Sequence, residues 1–186
     1  MNRIATRSAA RERDVETNTP EDSFDQFYGR TVRKLVAQGY MLCGDLQDAE
    51  DMAQEALGRA WRDWARVRTL EDPAGWTRRV LHNLVVSRWR RGKVRLHREP
   101  TLAADPTAPE LDERQFDLVK GLQMLPVEQR RALVLSSVVG LAVGEIALDM
   151  DANEGTVRVW LSRARKAMVE QLADMDANER GKGDAR

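Results

Sequence analysis

The sequence predicts an all-α protein made of two small helical domains joined by a flexible linker. Apolar residues recur at helical spacing through most of the chain, and nowhere does strand-like alternation appear. Between the two periodic blocks, residues 93–111 hold Pro100, Pro106 and Pro109 and show no periodicity, as a linker would. A length of 186 residues suits two small domains. The expected divisions are a disordered leader at 1–22, a first domain at 23–92, the linker at 93–111, a second domain at 112–174 and a flexible tail at 175–186.

The first helix starts after Asp22 or Ser23, either of which can cap it, and Gly44 ends it. Phe24, Phe27, Tyr28, Leu35, Val36 and Tyr40 give it an apolar face. Asp45 opens a second helix that runs to about Val67. Its stripe is Leu46, Ala49, Met52, Ala53, Ala56, Leu57, Ala60, Trp61 and Trp64, opposite a face bearing Asp48, Asp51, Glu55, Arg59 and Arg62. Pro73 suits the first turn of a third helix reaching about Arg91, with Gly92 as its C-cap, and its arginines are expected to face outward.

The second block opens with a helix carrying Phe116, Leu118, Val119 and Leu122. Pro126 then starts a helix that ends at Gly140. A short helix, AVGEIALDM, and a longer one, EGTVRVWLSRARKAMVEQLAD, follow on either side of a tight turn, and the tail ERGKGDAR reads as frayed. Residues 143–168 have helix-turn-helix spacing. Ala147 lets the two helices approach, and Ile146, Met150, Val157, Leu161 and Ala164 can form their core. Asp151 takes the left-handed turn position and Asn153 can cap the long helix.

Bulk charge is uninformative, because 30 basic residues balance 30 acidic ones. The distribution says more. From Pro73 to Arg98 there is no Asp or Glu, while Arg78, Arg79, Arg88, Arg90, Arg91, Lys93, Arg95 and Arg98 all fall inside. From Asp45 to Glu55 the sign reverses, with Asp48, Glu50 and Asp51 between them and no Lys or Arg. Separated poles on a neutral chain suggest two partner surfaces of opposite sign.

Each pole has a plain alternative as a solvated helix face. The outward side of the long helix bears Arg158, Ser162, Arg163, Arg165 and Lys166, types that pair with guanine edges and phosphates in a major groove. Arginines mixed with Trp76, Trp89, His82 and Asn83 suit single-stranded DNA, where bases stack on indoles. Asp48, Asp51 and Glu55 form a docking face for a basic partner or, less well supported, ligate a divalent cation.

No Gly-rich phosphate loop, Cys–His metal spacing or serine elbow is present, so the expectation is a non-enzyme without cofactor or metal. A single cysteine, Cys43, cannot form an intrachain disulfide. The N-terminus has no apolar core of the signal-peptide kind, and no apolar run approaches about 18 residues. A cytoplasmic protein is expected.

Three segments in order, DAEDMAQEALGRAW (48–61), DPAGWTRRVLHNLVVSRWRR (72–91) and LPVEQRRALVLSSVVGLAVGEIALDMDANEGTVRVWLSRARKAM (125–168), resemble the extracytoplasmic-function (group IV) sigma factors of bacterial RNA polymerase, close to the actinobacterial SigE-like group. The resemblance covers about residues 24–92 and 112–172 and implies a region 2 and a region 4 domain. It implies core-polymerase contacts, on the β′ clamp helices, by Asp48, Asp51, Gln54 and Glu55. It places Trp76, Arg79, Asn83 and Arg90 at an opened minus-ten element with a flipped base. It brings Arg158, Val159, Ser162 and Arg163 to base edges of the minus-thirty-five element, with Thr156, Arg130, Arg131 and Arg165 on phosphates. The β flap tip, promoter DNA and an anti-sigma factor complete the implied partners.

Two positions depart from the family pattern: Trp160, where a basic residue is frequent, and Asp151, where Gly is usual. The competing readings are an autonomous helix-turn-helix regulator using residues 24–92 as a dimerisation or sensor domain, and an all-helical metal-dependent hydrolase using Asp48, Asp51 and Glu55.

Overall fold

The computed structural model describes residues 23–90 and 113–183. The expected leader and linker lie outside the described residues. Those described are helical in both blocks, in the order α1 (Phe24–Cys43), α2 (Leu46–Arg62), α3 (Trp64–Val67), α4 (Pro73–Arg90), α5 (Glu113–Met124), α6 (Val127–Val134), α7 (Val143–Met150) and α8 (Glu154–Gly183).

The helix ends follow local chemistry. Ser23 Oγ accepts from Asp25 N–H at 3.2 Å, and Gly44, at φ 76°, returns its N–H to Tyr40 O at 2.7 Å. One residue later Asp45 Oδ1 accepts from Asp48 N–H at 2.9 Å and starts α2. Gly39 lets α1 and α2 cross closely, since a Cβ there would stand 3.1 Å from Ala49 Cβ. Asp72 caps α4 by accepting from Gly75 N–H at 2.7 Å.

The single helix expected from Asp45 to Val67 is broken at Asp63. The break turns Trp64 onto Phe24 and Phe27, with ring centroids 5.3 and 4.9 Å away. Trp61, expected on the apolar stripe, is instead 60% exposed and touches only the rim of this cluster, through Phe24 at 4.9 Å. In the second block the helix expected to reach Gly140 widens into a π-turn at Leu135–Val139 before Gly140 at φ 82°. The last helix does not stop near Ala173 but runs to Gly183.

Two hydrophobic clusters organise the molecule. The smaller belongs to the helix-turn-helix: Ala132, Leu135, Ile146, Ala147, Val157 and Leu161, with Met150 and Trp160 packed at its edge. The larger joins Leu35, Leu42, Leu57, Leu81 and Val85 of the first block to Val119, Leu122, Leu125, Val134, Ala164 and Met168 of the second. The two lobes therefore share a core in this conformation, through α5 and α6 against α1.

Candidate nucleic-acid interface

α8 presents its outer side because Val157, Leu161, Ala164 and Met168, at helical spacing, are all buried on the other. Arg158, Val159, Ser162, Arg163 and Arg165 are exposed. The helix starts where the sequence placed it: Asp151 adopts φ 51°, and Asn153 Oδ1 accepts from Thr156 N–H at 2.8 Å and Thr156 Oγ1 at 3.0 Å. Arg158 pairs with Glu154 one turn earlier. An open groove between the π-turn, the start of α7 and α8 is lined by Ser136, Leu141, Val143, Arg158, Ser162 and Arg165. Trp160, half-buried against the small core, is occupied with packing.

On α2, Asp51, Gln54 and Glu55 are exposed on one stripe. Glu55 pairs with Arg59 at 2.8 Å and with Arg62 at 3.7 Å, both pairs open to solvent. Asp48 differs from the other three: it is half-buried and held by Arg88 of α4. Burial raises the Asp48 carboxyl pKa, opposed by the Arg88 guanidinium beside it.

On α4 the expected outward array is only partly present. Asn83 and Arg90 are exposed, and so is Arg79. Trp76 is half-buried against the large core, with the Arg66 guanidinium 5.5 Å above its ring. Arg78, expected outside, is folded inward toward Asp149 of α7 and Asp72, at 3.6 Å from each. Arg88 is committed to Asp48.

Arg130 and Arg131 correct the expectation most clearly. They do not stand on the surface with the α8 residues. Arg130 is buried and donates to the carbonyl of Leu42, to the Gln123 side chain, and to Gln123 O at 2.8 Å and Leu125 O at 3.1 Å. Burial brings its pKa down to about 10, still far above neutrality. The physical reason is the end of α1: no basic residue occupies its last turn, and its final carbonyls need donors. Gln123 Nε2 serves Met41 O at 3.0 Å and Arg130 serves Leu42 O, a helix cap supplied by the other lobe.

Arg131 points the opposite way. Its Nη2 donates to Asp149 O at 3.0 Å and Oδ1 at 3.1 Å, and its Nε donates to His82 Nδ1 at 3.2 Å. That last bond makes Nδ1 an acceptor, so His82 is neutral with its proton on Nε2. Burial lowers the His82 pKa, in agreement. Burial alone would raise Asp149, but the groups around it bring it down to about 2. Since His82 Nδ1 is 3.8 Å from the carboxylate and already accepts from Arg131, the guanidiniums carry the counter-charge.

Asp149 and Gln123 were not among the residues singled out from sequence, and His82 was named only with the single-strand array of α4. One signal was available: Asp149 lies three residues after Ile146, on the inner face of α7, and a charge there requires partners.

Fold and exposed faces together define a two-lobed, all-helical protein with a helix-turn-helix in its second lobe. Two family models match it in sequence: sigma-70 region 2 over residues 27–95, and sigma-70 region 4 over residues 115–168. It is 32% identical over 162 residues to the ECF RNA polymerase sigma factor SigE of Mycolicibacterium smegmatis, covering 81% of this chain and 62% of that protein. It is 29% identical over 155 residues to the ECF RNA polymerase sigma factor SigM of Mycobacterium tuberculosis, covering 81% of this chain and 77% of that one. Among solved structures, the sigma factor RpoE of Bartonella quintana, crystallised with the anti-sigma factor NepR, superposes with a TM-score of 0.68 at 25% identity, over 81% of this chain and 96% of that one. The chain belongs to the extracytoplasmic-function sigma factors of the sigma-70 family, of the actinobacterial SigE type. Members of that family are not enzymes.

Proposed function

We propose that this chain is an alternative sigma factor that binds core RNA polymerase and directs promoter-specific initiation, working where the polymerase works, in the cytoplasm. The observation that carries the reading is the segregation of charge onto separate helices: an exposed acidic stripe on α2 and an exposed cationic face on α8. An acidic stripe fits a basic protein surface, and a cationic helix in a helix-turn-helix fits a major groove.

In this reading Asp51, Gln54 and Glu55, with Asp48 beside them, meet the β′ clamp helices. The second lobe meets the β flap tip. Arg158, Val159, Ser162 and Arg163 approach base edges of the minus-thirty-five element, while Thr156 and Arg165 hold phosphates. A bidentate Arg–guanine contact is worth about 1–3 kcal/mol of discrimination. Trp76, Arg79, Asn83 and Arg90 serve the opened minus-ten strand, where stacking and pocket contacts offset the few kcal/mol needed to flip a base. Arg130 and Arg131 are left out of the phosphate set, because both are engaged inside the molecule. An anti-sigma factor is a further partner, by analogy with the complex formed by the Bartonella protein.

Run-off transcription tests this. Adding the chain to core polymerase should yield transcripts from a subset of genomic promoters, with no specific duplex footprint by the chain alone. No transcript with any core enzyme, together with unaided protection of a palindrome, would favour the autonomous regulator.

A further inference from the structure

We propose that Val159 reads the C5-methyl group of a thymine, making the upstream promoter element of this chain depend on a thymine close to the guanine met by Arg158. The proposal rests on the reading of α8 given above and names the chemical group that one of its residues recognises.

Its basis is the placement of one apolar side chain. The other apolar residues along the first turns of α8, Val157 and Leu161, are buried, and Trp160 packs at the edge of the small core. Val159 is 45% exposed instead. Ser162 and Arg163, three and four residues on, share its face and are exposed with it, and Arg158 stands beside it. The valine is thus the apolar member of a face otherwise built to hydrogen-bond.

Nothing on the helix covers it. A helical side chain leans over the turn N-terminal to its own Cα. There Val159 meets Gly155, which has no side chain, and Thr156, whose Oγ1 is turned back to Asn153 Oδ1 at 3.0 Å. Its two methyl groups are therefore open to a partner, and β-branching holds them in essentially one rotamer, so little freedom is lost on contact. A β-branched residue is also a weaker helix former than Ala or Lys, so α8 itself gains little from a valine here. Leu148 and Val169 are more exposed, at 79% and 70%. Leu148, however, belongs to α7, and Val169 lies about 15 Å further along the axis of α8, beyond the N-terminal turns that enter a major groove.

The chemistry of the groove selects the ligand. Of the groups that the four base pairs present there, the thymine methyl is the apolar one, and all the others are hydrogen-bond donors or acceptors. Against those, Val159 would displace water and leave a polar group without a partner. Arg158 and Val159 are consecutive, with Cα atoms about 3.8 Å apart, comparable to the step of about 3.4 Å between base pairs, which keeps the thymine near the guanine.

Uracil interference tests this. Core polymerase with the full chain is bound to a promoter that it transcribes, in which scattered thymines are replaced by deoxyuridine. Bound and free DNA are then separated and cleaved at uracil. Uracil at one position of the minus-thirty-five element should weaken wild-type binding about fourfold, the value of burying one methyl group. Val159→Ala should lose the interference at that position. Val169→Ala, the same truncation on the same helix, should keep it.

A wild-type holoenzyme that protects the minus-thirty-five duplex yet tolerates uracil throughout it overturns the proposal and leaves the sigma reading intact. Interference that persists unchanged in Val159→Ala does the same. A chain that transcribes from no promoter with any core enzyme removes the sigma reading itself, and this inference with it.

Discussion

Arg78 Nε of α4 lies 3.6 Å from Asp149 Oδ2 of the helix-turn-helix, so an arginine expected to face solvent instead faces a carboxylate 71 residues further along the chain. The pair joins a helix proposed for opened DNA to one proposed for duplex DNA, and it lies beside His82, a residue whose charge depends on pH near neutrality.

Acidification should open the lobes. His82 is buried among Arg131 of α6, Arg78 of α4 and Asp149 of α7, and its pKa is lowered by burial first, with both guanidiniums adding and Asp149 opposing. The packed junction of the two lobes thus favours neutral His82. Its contribution is complete above the ordinary histidine value of about 6.5 and is lost as pH falls below it. Asp149, held at about 2, stays ionised throughout that window. Scattering between pH 8 and about 5.5 should show expansion on the acid side, absent in His82→Gln.

Truncating Arg130 should weaken the junction of α1 with α5 and α6. Arg130→Ala removes the donors to Leu42, Gln123 and Leu125 and leaves buried carbonyls unmet. The expected loss is about 2–3 kcal/mol in urea unfolding. A change below about 0.5 kcal/mol, the range of a neutral surface substitution, would show the trans cap to be idle.

Charge reversal on α2 should weaken core-polymerase binding without destabilising the chain. Asp51→Arg and Glu55→Arg alter exposed side chains. Each should lower affinity by about 1–2 kcal/mol and lose most of its effect in high salt. Asp48→Asn should differ by also lowering the melting temperature, because it releases Arg88. Surface plasmon resonance and thermal unfolding separate the two behaviours.

Substitution on α8 should change which promoters are read. Arg158→Ala should weaken promoter binding by about 1–3 kcal/mol in promoter-specific fashion, while Arg165→Ala should weaken binding to all promoters alike. Equal loss from both would contradict the division between base and phosphate contacts.

Cys43 should resist thiol reagents. It is buried, and burial pushes its thiol up to about 12. Reaction with an aromatic disulfide should proceed at the rate of global or sub-global opening and become fast in denaturant.

Much of the fold was legible because local signals carry it. Apolar spacing marked the helices, and Asp151 and Asn153 announced the helix-turn-helix by their turn and cap chemistry. Trp61 was misplaced because periodicity along α2 continues past the neighbours that bury it. The Asp63 break depends on Phe24 and Phe27, residues of another helix. The exposed members of the candidate site were similarly readable, since a charge on the outer face of an amphipathic helix needs no tertiary information. Arg130, Arg131 and Asp149 were not readable in this way. Their partners lie up to 88 residues away, and no short-range pattern distinguishes an arginine that caps a distant helix from one that meets a phosphate.

Photo-crosslinking from two positions in a transcribing complex tests the sigma assignment most directly. With a benzophenone amino acid at Asn83 or at Ser162, core polymerase and a promoter fragment, the Asn83 probe should mark the opened minus-ten strand. The Ser162 probe should mark the minus-thirty-five duplex, and both adducts should require core enzyme. Adducts from both positions on one duplex site, formed equally well without the polymerase, would contradict it.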